Sequence, residues 1–198
     1  MTYVNEQVTL AAALMQSRQT ILPKRLTEPG PDVAQLELLL GAAASAPDHG
    51  QLLPWRFILV PQEARSCLGA AFAASLRQRD PKASPEQLAQ ADEKAYRAPL
   101  LILTVVDTER GDPTIPAHER ILSAGCAVQN ILLMATAMGF GSSLTSGKAL
   151  GATPLRQLFG LGSAELALCF ISVGSVATCK PARIRPVVAD YVSVLAPQ

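Results

Sequence analysis

Histidine is scarce in this chain: there are two, His49 and His118, and none of the four cysteines forms a Cys-x-x-Cys pair. A zinc centre therefore fails on ligand supply. Cys67, Cys126, Cys169 and Cys179 are scattered, three of them inside apolar runs, and read as small buried hydrophobes of a reducing cytosol. There is no Walker loop and no Gly-x-Ser-x-Gly elbow, and neither histidine has a recognisable nucleophile motif to serve. Gly139-Phe140-Gly141 and Gly160-Leu161-Gly162 lack the third glycine and the preceding strand of a dinucleotide fingerprint. An excess of one charge is missing too. A net charge of +1 with interspersed signs gives no basic stripe, which argues against nucleic acid as a partner. Residues 1–6 lack the basic start and apolar core of a signal peptide, so a cytoplasmic location is expected.

What is present is apolar and organised. With 49% hydrophobic residues over 198 positions, the chain can bury a substantial core and is most simply a single domain. Apolar spacing predicts a helix over 4–17, with Val8, Ala11, Ala12 and Met15 on one stripe. A second is expected over 33–44, opened by Asp32 with Gln35 three residues on. Residues 55–60 form a short strand, with Pro61 placed to start a helix reaching about residue 78. Ser84-Pro85-Glu86-Gln87 opens a polar, solvated helix to residue 96, and the continuous apolar run 100–106 reads as a strand buried on both faces. The nearly all-apolar stretch 121–138 is interrupted by Ser123, Gln129, Asn130 and Thr136 and preceded by Glu119-Arg120. It reads as a helix over about 118–138, buried on all sides in the core or at a subunit interface, rather than a membrane span. Beyond it come an extended segment 140–146, a short helix 153–159, a buried strand 166–173 ending at Gly174, and a tail whose residues 191–195 could add a strand to an edge. Helices alternating with a few apolar strands argue for three layers around a central sheet.

The most telling segment is Ala46-Pro47-Asp48-His49-Gly50-Gln51-Leu52-Leu53-Pro54-Trp55-Arg56-Phe57, a run of polar groups between a helix and a strand. Polar loops fixed by buried elements are where binding groups sit. Trp55 within it reads as core. Other polar groups also end apolar elements: Arg18 and Thr20, then Thr145-Ser146-Gly147-Lys148, then Lys180, Arg183 and Arg185. Cationic clusters beside hydroxyls suit a phosphate-bearing ligand.

Taken in order, these residues resemble the nitroreductase family of flavin mononucleotide (FMN) enzymes, and most closely its short bacterial NAD(P)H-dependent members. The likeness runs from about Leu14 to Leu195. It is carried by Ala46-Pro47-Asp48-His49 with Pro54-Trp55-Arg56-Phe57, by Ser123-Ala124-Gly125-Cys126-Ala127-Val128-Gln129-Asn130 with Gly139-Phe140-Gly141, and by Gly174 followed by Lys180-Pro181. The resemblance implies an α+β three-layer sandwich with a mixed, mainly antiparallel sheet. It implies a homodimer with FMN at the subunit interface, and a C-terminal segment extending onto the partner. It matches Arg18, Gln19 and Thr20 to the element holding the flavin phosphate, ribityl chain and pyrimidine edge, and Arg183 and Arg185 to the second phosphate clamp. Asp48 and His49 match the loop offered by the partner subunit, His49 being the side chain expected to touch substrate or nicotinamide, and Ser45 is expected among the cofactor-binding residues. Thr145, Ser146 and Gly147 match the segment whose backbone amides approach the reactive ring nitrogen. Preorganised N–H donors there would stabilise the charge a hydride brings, which explains the lack of a catalytic dyad.

The implied activity is hydride transfer from NADH or NADPH to an electron-poor acceptor such as a nitroaromatic or quinone. Two alternatives share the fold: a flavin-binding protein without turnover, and a flavin-consuming lyase. Gln19, where relatives commonly have arginine, and Gln51-Leu52-Leu53, where many have Asn-x-Gln, are departures from the family pattern.

Overall fold

The computed structural model describes residues 2–178 and 184–196. In chain order the elements are α1 (Thr2–Ser17), β1 (Leu26–Thr27), α2 (Val33–Ala43), β2 (Trp55–Leu59), α3 (Arg65–Arg79), α4 (Pro85–Glu93), β3 (Leu100–Asp107), α5 (Ala117–Ala137), β4 (Gly141–Thr145), α6 (Thr153–Leu158) and β5 (Glu165–Val176). The sheet runs β1-β5-β3-β2, with β4 also paired to β5, and every ladder is antiparallel. The parallel component is a single bridge, Thr20 to Ser142.

Alternation along the two central strands makes the three layers. Ile102 on β3 and Cys169, Ile171 and Val173 on β5 face α2 and α5, meeting Leu39, Ala127, Val128 and Ile131. Leu101, Leu103 and Val105 on β3 and Phe170 on β5 face the other way, onto Leu68 of α3 and Leu155 of α6. Side chains two apart share a face of a strand, so an all-apolar run must be covered on both sides.

The helix starts follow the sequence signals. Asp32 accepts from the Gln35 amide at 2.8 Å while the Gln35 side chain accepts from the Asp32 amide, and Ser84 and Gln87 form the same reciprocal cap on α4. Helix α5 ends in a Schellman turn: the Gly139 amide donates to the Thr136 carbonyl and the Phe140 amide to that of Ala135, with Gly139 at φ 84. One of the two near-miss glycine pairs is thus a helix stop.

Three expectations need correction. Pro61 does not start α3; it precedes a short 3-10 turn, Gln62–Ala64, and the α-helix begins at Arg65. Strand β5 does not end at Gly174 but continues to Val176, where Ser175 and Val176 pair with Thr27 and Leu26 of β1. Residues 191–195 form no strand and lie exposed. Within one chain, helix α5 buries the stripe Ala124, Ala127, Val128, Ile131 and Ala135 and leaves Ile121 and Leu122 exposed, the latter at 67%, so burial of its remaining face would need a subunit interface.

Candidate functional site

Arg18 follows the last turn of α1, its amide still bonded to the Leu14 carbonyl. Arg185, far along the chain, donates from Nη2 to the Arg18 carbonyl at 2.7 Å and to that of Gln16 at 3.3 Å. Two guanidinium-bearing residues are thereby held together, and among the described residues neither has a carboxylate partner within salt-bridge distance. The Arg18 guanidinium is held below its ordinary value, first by partial burial and then by Arg185. Like charges kept together without a counter-ion are the arrangement an anion completes. Gln19 is half-buried beside them. Thr20 bridges Ser142, and the next amide, Ile21, donates to the Ser142 carbonyl at 2.9 Å, so this segment lies along the start of β4. The hydroxyls of Ser142 and Ser143 are buried with no partner among the described residues, a polar strand interior where packing alone would favour apolar side chains. Arg183 lies outside the described residues.

Two residues after Thr20, Leu22 enters the wall of a cavity of about 750 Å³, a size typical of small-molecule and cofactor sites. Thr145, Ser146 and Gly147 form part of that wall, and a Cβ added at Gly147 would meet nothing within 4 Å. Phe72 and Leu76 of α3, Gln90 of α4, Lys24 and Lys94 also line it. Lys24, Gln90 and Lys94 were not singled out from sequence. The lysines satisfy the same criterion as the others, a charge at an element end, but each has an ordinary solvated helix-end reading until the fold faces it into a cavity.

Ser45, Asp48 and His49 are elsewhere. Ser45 is exposed just past α2. The Asp48 carboxylate is engaged by its own loop, accepting the Leu53 amide at 2.7 Å. His49 is exposed, and its Nδ1 lies 2.6 Å from Glu119 Oε2, in the first turn of α5. The loop is further held by Arg120, whose buried guanidinium donates to the carbonyls of Arg110, Asp112 and Ile115, with Ile115 packed under Gly50. Trp55 belongs to the core cluster, its Nε1 donating to Ser123 Oγ at 3.2 Å. Since β4 starts just past the other end of α5, Thr20 and His49 mark opposite ends of a 21-residue helix, about 30 Å long. One chain therefore brings together Arg18, Thr20 and Arg185, and separately Thr145–Gly147 with the cavity, but it does not bring His49 to them.

The family model described as "Nitroreductase family" matches residues 16–175. The chain belongs to the nitroreductase family. It is 34% identical over 165 residues to a Haemophilus influenzae protein named "Putative NAD(P)H nitroreductase", covering 83% of this chain and 88% of that one. In fold, this family member superposes on a nitroreductase-like family protein from Bacillus cereus with a TM-score of 0.78 at 19% identity, covering 93% and 95% of the two chains. An FMN-dependent nitroreductase from Clostridium difficile matches with a TM-score of 0.64 at 21% identity, covering 91% and 96%. This chain is an oxidoreductase of the family, built as an α+β sandwich with an antiparallel sheet.

Proposed function

We propose that this nitroreductase-family chain is an FMN-dependent homodimer that takes hydride from NADH or NADPH and passes it to a nitroaromatic or quinone-type acceptor. The carrying observation is the Arg18–Arg185 pair, unneutralised among the described residues and four positions along the chain from a cavity walled by Thr145, Ser146 and Gly147. An anion site and a ring-sized space in that relation fit a phosphate-bearing planar cofactor. The names of the Haemophilus and Clostridium relatives support the donor and the cofactor.

FMN, when bound, supplies two-electron hydride chemistry. The chain's task is to hold and polarise. Arg18 and Arg185, with Arg183, would clamp the phosphate; Gln19 and the Thr20 hydroxyl would reach the ribityl and pyrimidine side. The amides of Thr145, Ser146 and Gly147 would donate to the ring edge, and Lys24 and Lys94 would place positive charge where reduction makes the ring electron-rich. Ser45, Asp48 and His49 would serve the site of a second copy, since one chain holds them at the far end of α5. With Nδ1 occupied by Glu119, Nε2 is the His49 atom left to face substrate or nicotinamide.

A dimer also accounts for apolar surface that one chain leaves open: Val8, Leu10 and Met15 on α1, Leu122 on α5, and Ile184 and Leu195 in the tail. The deciding experiment is the visible spectrum of the purified protein. A yellow protein, or one that turns yellow with added FMN, is expected; a colourless protein that takes up none would sink the reading. Anaerobic stopped-flow reduction by NADH and NADPH then separates an enzyme from a pure flavin binder, and survival of the flavin through aerobic turnover separates it from a lyase.

A further inference from the structure

The cavity is one-sided in charge. Lys24, Arg79, Lys94, Arg97 and Lys148 line it and, among the described residues, no aspartate or glutamate does, although the whole chain carries 17 basic and 16 acidic residues. Among the described residues only Arg97 of the five has a carboxylate partner, Glu93. The floor beneath is apolar: Phe72 and Phe170 meet edge to face at 5.7 Å, flanked by Leu76 and Leu150. A low-dielectric floor under a rim of one sign focuses the field into the cavity and favours an anion there.

The proposed cofactor does not call for that much charge. Its phosphate has cations of its own in Arg18 and Arg185, neither of which lines the cavity. The oxidised flavin ring is uncharged, and the amides at 145–147 with Lys24 and Lys94 are enough for the charge it gains on reduction. Arg79, at the end of α3, and Lys148, beyond β4, remain without an assigned partner.

We infer that the cavity selects anionic aromatic acceptors, flat electron-poor rings carrying a carboxylate. The ring would rest on the Phe72–Phe170 floor, and the carboxylate would be met by the rim, Arg79 and Lys148 above all. This rests on the flavin-dependent reading and deepens it by naming the substrate class.

The test compares para-nitrobenzoate with para-nitrobenzamide, the same ring with and without the charge, in the FMN-loaded protein and its Arg79→Gln/Lys148→Gln variant. The ratio of their kcat/KM values is read, so that a general loss of activity cancels. The native ratio should favour the benzoate by about tenfold at low salt, falling toward parity in about 0.5 M salt and in the variant. Calorimetric titration with benzoate and benzamide, which cannot be reduced, gives a readout independent of turnover and of bound flavin. Benzoate should bind more tightly to the native protein and lose that advantage in the variant. Parity in the native protein, or a preference untouched by the double substitution, overturns the inference. So does a loss confined to reduction by NADPH and absent with NADH, which would assign the two cations to the donor's extra phosphate. Failure of the underlying reading looks different: no flavin is taken up, while the benzoate titration still reports whether the rim prefers an anion.

Discussion

The loop that carries His49 is held in an unusual backbone. Gly50, Gln51 and Leu53 all lie in the left-handed region, at φ 71, 51 and 47. A side-chain-bearing residue costs about 1–2 kcal/mol there, and the Asp48 carboxylate offsets part of this by capping the Leu53 amide. Asp48→Ala should therefore destabilise the protein by about 1–3 kcal/mol in urea unfolding, whereas Gln51→Gly should stabilise it by up to about 1 kcal/mol. Asp48 was legible as a residue that matters; that its carboxylate engages its own loop depends on φ angles that no pattern of residue types reports. A second residue-scale expectation concerns pH. Arg56 donates from Nε and Nη2 to the two carboxylate oxygens of Glu165, at 2.7 and 3.1 Å, and this hydrogen bonding, ahead of simple charge attraction, holds Glu165 below the usual carboxylate range. A depressed folded pKa means that the unfolded chain binds the extra proton as pH falls below about 4.3. The pair's stabilisation is thus complete above that value and lost as pH drops through the lower folded value. Arg56→Gln should raise the acid-unfolding midpoint followed by circular dichroism, while costing only about 0.2–1 kcal/mol at neutral pH because the pair is partly exposed.

At the scale of elements, the site depends on how β4 is seated. A Cβ at Gly141 would lie 2.5 Å from Val176 and 2.8 Å from Leu26, so glycine lets the start of β4 approach β5 and β1 closely. Gly141→Ala should cost about 1–3 kcal/mol by overpacking. It should also weaken FMN uptake, because Thr20 and the 145–147 segment are registered through this strand; a thermal melt and a flavin titration check the two parts. Helix limits were legible because caps are local chemistry: Asp32, Ser84 and Gly139 each act within a few residues of themselves. Strand β1 was not. Its two residues carry no periodicity, and it exists because β5 runs on past Gly174 and leaves backbone groups to be paired.

For the whole molecule, exposed apolar side chains on α1, α5 and the tail predict a dimer in analytical ultracentrifugation. Deletion from residue 184 onward removes Arg185 together with the apolar tail, and should give a weaker dimer that no longer retains flavin; a dimer with undiminished flavin affinity would contradict both assignments. The sequence by itself determined the layering of helices about a central sheet, most helix starts and stops, and which polar groups end apolar elements, because these follow from spacing and from hydrogen bonds between near neighbours. Tertiary structure alone decided that Arg18 meets Arg185, that Lys24 and Lys94 face the cavity holding Thr145–Gly147, and that His49 stands at the far end of α5. Those relations join residues distant along the chain, and the hydrophobic packing of sheet and helices, not any local pattern, sets where such residues meet.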